Sequence, residues 1–168
     1  MLTIDNVTKR YGDFVAVNGL SMSIEPGTIF GFLGPNGAGK TTTMKMVCGL
    51  IRTTEGSIHV DGQNIVEHPL ETKGKLGYVP DRPHVYERLT AKEYMYFIAG
   101  LYNLQRSDGI TRSRELLSLF GLGHVQDHLV ESFSHGMKQR LVMASVLLHR
   151  PKLMVVDEPM VGLDPQGA

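Results

Sequence analysis

The residues best suited to chemistry stand in two short stretches. Gly34-Pro35-Asn36-Gly37-Ala38-Gly39-Lys40-Thr41 fits G-x-x-x-x-G-K-[ST] at every fixed position. Glycines let the backbone curl so that successive N–H groups face one concavity. That concavity, opening onto the start of a helix, favours an anion. Lys40 can then reach β- and γ-phosphates, and the Thr41 hydroxyl can ligate Mg²⁺. Taken only as a tight turn, Gly-Pro-Asn-Gly leaves Lys40-Thr41 unexplained, so a nucleoside-triphosphate site is expected. The second stretch is Asp157-Glu158-Pro159, after the apolar run Leu153-Met154-Val155-Val156. Two adjacent carboxylates at the end of a buried strand need a purpose, because leaving them unpaired there is costly. Asp157 can hold Mg²⁺ through its water shell, and Glu158 can orient and deprotonate an attacking water. A salt-bridged loop is the plainer alternative.

These residues need elements to position them. Residues 28–33, Thr-Ile-Phe-Gly-Phe-Leu, read as a buried strand leading into the glycine loop, and residues 41–51 read as a helix with Met44, Val47 and Leu50 or Ile51 on one face. Ahead of them, residues 2–7, 14–17 and 21–24 are strand-like with tight turns between, which predicts a small antiparallel layer. Tyr11 lies in the first of those turns, either packing there or offering a platform to a nucleotide base. After the helix, residues 57–60 form a strand closed by the turn Asp61-Gly62. Residues 76–79 form another, broken by Pro80, with Asp81 at the C-terminal end where α/β sheets place their ligands. Two helical runs follow, 90–104 with Tyr94, Phe97, Ile98 and Leu101 on one side, and 111–120 with Leu116, Leu117 and Phe120. They suggest a helical insertion of about 50 residues between strands. Ser134 is the N-cap candidate of a last helix, with Met137, Leu141, Ala144 and Leu148 as its buried stripe. Leu153-Met154-Val155-Val156 reads as a strand buried on both faces.

Bulk properties set the frame. The chain has 168 residues, enough for one domain with a real core. Lys plus Arg and Asp plus Glu both number 17, so there is no electrostatic footprint for nucleic acid. The single Cys48 can form neither an intramolecular disulfide nor a multi-cysteine metal site, and it reads as a small core residue. The first residues lack a basic region followed by an apolar run, and no apolar stretch approaches the ~20 residues that span a bilayer. A soluble, cytosolic chain is expected, reaching a membrane only through a partner.

In this order the motifs resemble those of an ABC (ATP-binding cassette) ATPase. Residues 34–41 resemble its Walker A loop, and residues 153–157 its Walker B strand, with Glu158 as the catalytic glutamate. Phe133-Ser134-His135-Gly136-Met137 resembles the LSGGQ signature, Gly162-Leu163-Asp164 the D-loop, and Tyr11 the aromatic that stacks on adenine. The resemblance covers the whole chain and implies an α/β fold: a P-loop NTPase core with a mixed sheet, an N-terminal antiparallel layer and a helical subdomain at about 82–135. It implies a single nucleotide-binding domain over 1–168, continuing beyond Ala168 with a helix, a strand between the two Walker strands and a switch histidine. The chain is therefore expected to be a fragment. The cofactors implied are ATP and Mg²⁺. The implied nucleotide contacts are Tyr11, Val17, Gly34, Pro35, Asn36, Gly37, Ala38, Gly39, Lys40, Thr41 and Thr42, and across a dimer Ser134, Gly136 and Asp164. The implied metal ligands are Thr41, Asp81 and Asp157, and the catalytic residues Glu158 and Lys40.

By the same resemblance, two cassettes sandwich two ATP molecules head to tail, each glycine loop facing the partner's signature. The partners are thus a second nucleotide-binding subunit and an integral membrane permease subunit, on the inner face of the cell membrane. The Ser-His-Gly-Met-Lys-Gln-Arg signature resembles those of subunits serving separate, often exporting, membrane proteins. Three residues depart from the pattern: Asp81 stands where Gln or Glu is usual, and His135 and Met137 replace the second Gly and the Gln of the signature. Two other functions remain: a nucleotide-binding remnant without turnover, and a soluble cassette ATPase acting on nucleic acid or ribosomes. A GTPase is disfavoured, because no N-K-x-D motif occurs.

Overall fold

The computed structural model describes residues 1–82 and 84–157. It divides into two compact units, one holding Met1–Gly77 with Lys152–Val155, the other the described residues of 78–151 with Val156 and Asp157.

The first unit is built on an antiparallel sheet. β1 (Leu2–Tyr11) lies between β2 (Phe14–Ile24) and β3 (Glu55–Val60), and the short β4 (Gln63–Asn64) completes the order β2-β1-β3-β4. Leu2, Ile4 and Val7 of β1 and Ile58 and Val60 of β3 supply its buried face. The two segments expected at 14–17 and 21–24 are one continuous strand. Irregular register between Ile4 and Lys9 absorbs the polar Asn18-Gly19 interruption that made them look separate. Asp61 and Gly62, both at positive φ (53° and 79°), close a two-residue hairpin between β3 and β4.

Residues 28–33 differ from expectation. They form no strand, and Ile29, Phe30 and Leu33 are exposed. The apolar run favours extended backbone, but a strand also needs a neighbour's N–H and C=O groups, and no described segment pairs with this one. Beyond it, α1 (Lys40–Val47) buries Thr43, Met46 and Val47, and Cys48 is buried at its C-cap. The helix ends earlier than expected, leaving Leu50 exposed.

An unexpected short helix, α2 (Pro69–Gly74), begins at a proline and precedes β5 (Leu76–Val79). β5 pairs with β6 (Leu153–Val156) in a second sheet. The backbone bonds from Leu153 N to Lys75 O and from Asp157 N to Val79 O advance together, so the two strands run parallel. β6 is half-buried rather than buried on both faces, with Met154 38% exposed.

The second unit is helical. α3 (Ala91–Leu101), α4 (Arg106–Leu119) and α5 (His135–Val146) surround a core that includes Tyr94, Met95, Leu116, Leu117, Leu122, Leu141, Ala144 and Leu148. Phe97 and Leu101, expected on the buried side of α3, are exposed instead, and Ala91, Met95 and Ala99 take the core positions. The small Ala99 faces Gly109 of α4, where an added Cβ would lie 3.2 Å from the Ala99 Cβ. Close helix contact thus selects small residues over the aromatics. No helix among the described residues is long and apolar enough to cross a membrane.

Candidate nucleotide site

The glycine loop occupies the gap between the exposed segment and α1. Asn36 and Gly37 form a turn, with Ala38 N donating to Pro35 O at 3.2 Å. Gly37 and Gly39 adopt φ of 83° and 81°, conformations that side chains resist. Gly39 is constrained twice. A Cβ there would sit 2.4 Å from Ala16 O and 2.9 Å from Val17 Cγ2, so only glycine lets the loop lie against β2. Val17 is buried behind the loop, and Ala16, which the sequence reading passed over, supplies the backbone that sets its position.

Gly39 is the N-cap of α1, with no side-chain cap and no acidic residue in the first turn. The first amides of α1 therefore have no capping side chain, and the positive end of its dipole lies at the loop. Lys40 Nζ donates to Gly34 O (2.6 Å) and Pro35 O (2.8 Å), which curls the ammonium over the loop. The Thr41 side chain is exposed at the helix start. Amide donors, an ammonium and a hydroxyl are thus gathered on a glycine turn, a donor set that suits a polyphosphate and its metal ion.

Tyr11 ends β1, half-exposed at 50%. Lys9 Nζ lies 5.0 Å from its ring centroid and donates to Arg52 O at 2.8 Å. Lys9 was not among the expected site residues, because Tyr11 and its neighbours read as a turn; in the structure β1 runs through both, two residues apart and so on one face.

In the second unit, Asp157 follows β6 and is buried at 5%, while Asp81 follows β5 by two residues. The bond from Asp157 N to Val79 O brings the C-terminal ends of these strands side by side. Ser134 caps α5: its hydroxyl accepts from Met137 N at 3.3 Å, and its carbonyl from Lys138 N at 2.9 Å. Ser134 is exposed and Gly136 is partly exposed. Lys138 is held by Glu87 at 2.5 Å. Glu158 and Asp164 lie outside the described residues.

A protein-family model described as "ABC transporter" matches residues 17–161. The linearmycin resistance ATP-binding protein LnrL of Bacillus subtilis (strain 168) is 41% identical over 167 residues, covering 99% of this chain and 54% of that protein. The bacitracin transport ATP-binding protein BcrA of Bacillus licheniformis is 42% identical over 162 residues, covering 96% of this chain and 52% of its own length. A solved structure described as the ATP binding subunit of an ABC transporter superposes with a TM-score of 0.91 at 30% identity, covering 99% of this chain and 70% of that one. The chain spans about half the length of the curated relatives it matches. With the glycine loop, the uncapped helix start and the strand-end carboxylate all inside the matched span, the chain belongs to the ABC transporter family.

Proposed function

We propose that the full-length protein is the ATP-binding and ATP-hydrolysing subunit of an ABC transporter, driving export through a separate membrane permease at the inner face of the membrane. The observation that carries this reading is the uncapped start of α1, pressed by Gly39 against β2 beneath a lysine and beside a threonine hydroxyl. One relative is named for resistance and another for bacitracin transport, which is in keeping with outward movement of a toxic compound.

In this reading the amides of the loop and of Lys40, Thr41 and Thr42 donate to the phosphates. Lys40 Nζ trades its carbonyl acceptors for β- and γ-phosphate oxygens. Thr41, Asp157 and Asp81 are the residues that would hold Mg²⁺, which would supply neutralisation of phosphate charge when bound. Glu158 takes the proton of the attacking water. Ser134, Gly136 and Asp164 serve the nucleotide of a second cassette. Asp81, one methylene shorter than the usual residue, would hold the metal through a bound water.

Glu158→Gln in the full-length protein tests the assignment. It is expected to abolish hydrolysis while retaining ATP binding, and Lys40→Ala to lose both. Unchanged turnover in Glu158→Gln refutes the catalytic role.

A further inference from the structure

We propose that Lys9 is a positioning residue for the nucleotide base: its ammonium covers one face of the Tyr11 ring and fixes it so that the opposite face takes the base. The inference rests on the assignment of Tyr11 as the stacking aromatic and adds a role to a residue outside the loop.

Four contacts carry it. Lys9 Nζ stands 5.0 Å from the Tyr11 centroid, within the range in which a cation is attracted to the ring face. The same ammonium donates to Arg52 O at 2.8 Å, so it is tied from a second direction. The segment just after the acceptor is held on β1, because Thr54 N donates to Thr8 O at 2.8 Å and Arg10 N to Thr54 Oγ1 at 3.0 Å. A half-exposed tyrosine at a hairpin end would otherwise sample several rotamers. With one face occupied by a tethered cation, the ring keeps a single free face. The cation also draws π density toward itself, which leaves that free face better suited to an electron-rich heteroaromatic base. Arg52 lies just beyond α1, whose start forms the phosphate site, so the tether joins the base end of the site to the helix that carries its phosphate end.

The test measures dissociation constants for Mg-ATP and for Mg-tripolyphosphate, which has no base, by titration calorimetry on the full-length protein. Lys9→Met keeps the aliphatic stem and removes the charge. It is expected to weaken ATP about threefold and to leave tripolyphosphate unchanged. Lys9→Arg, which keeps a cation and its donors, is expected to restore ATP affinity. Tyr11→Ala is expected to weaken ATP about tenfold and to cancel any further effect of Lys9→Met in the double variant. Equal weakening of both ligands by Lys9→Met, with a lowered melting temperature, assigns Lys9 to the Arg52 tether alone and overturns the proposal. An effect of Lys9→Met that persists beside Tyr11→Ala overturns it as well. If Tyr11→Ala itself spares ATP, the stacking assignment fails and the proposal with it; if only Lys9→Met is silent, the stacking assignment stands and the proposal falls.

Discussion

Gly37 and Gly39 share a positive φ but not an environment, and that difference makes them a controlled pair. Nothing lies within 4 Å of a Cβ at Gly37, whereas one at Gly39 meets Ala16 O at 2.4 Å. Gly37→Ala therefore incurs only left-handed backbone strain, about 1–2 kcal/mol. Gly39→Ala adds a clash with backbone that cannot rotate away, so α1 must move off β2 and carry its amides with it. Denaturant titration should show the larger loss for Gly39→Ala, and nucleotide titration a far larger fall in affinity. Equal losses would mean that the approach to Ala16 does not position the loop. The glycine pattern was legible in the sequence because it is local. The reason the last glycine must be glycine was not, because Ala16 is distant along the chain.

At the scale of elements, one carboxylate ties three segments. Asp61 Oδ2 accepts from Lys75 Nζ at 2.8 Å and from Lys152 Nζ at 2.9 Å, joining the β3–β4 turn to the residues that open β5 and β6. Hydrogen bonds from Lys75 and then Lys152 hold its pKa down to about 2, from an ordinary value of 3.8. A lowered folded pKa means stability that is complete above the unfolded value and lost as pH falls toward the folded one. Acid titration of the wild type should thus lose stability between about pH 4 and pH 2, and Asp61→Asn should flatten that part of the curve. The same slope in both proteins would show the ties to be inconsequential. In the helical unit, Thr90 and Glu93 form a reciprocal cap at the start of α3. Thr90→Ala is expected to lower stability by about 1 kcal/mol in chemical denaturation. Element order and type were legible throughout most of the chain, because helical spacing, caps and the Asp61-Gly62 turn are written locally. Residues 28–33 mark the limit: their composition specifies extended backbone, but strand partners are a long-range property.

For the whole molecule, the family reading makes the second helix start, at Ser134, serve a nucleotide held by another copy. The signature was legible as a capped helix opening with Ser134 and Gly136, because a cap is local; what that helix faces is a property of the assembly. Its local chemistry still allows a decisive measurement. Ser134 is exposed, and its hydroxyl already accepts from Met137 N, so a long cationic side chain there can project outward without entering a core. Loss of the cap makes Ser134→Arg less stable by about 1 kcal/mol, an effect that Ser134→Ala shares and therefore controls for. The distinguishing effect concerns assembly. In full-length protein carrying Glu158→Gln, so that ATP persists, sedimentation with Mg-ATP is expected to show dimers. Adding Ser134→Arg should abolish them and leave the affinity of the monomer's own loop for ATP unchanged, whereas Ser134→Ala should only weaken them. Dimers joined through nucleotide should form only with Mg-ATP present. Dimers that survive Ser134→Arg, or that form equally without nucleotide, would place the second cassette on another surface and remove Ser134 and Gly136 from the site.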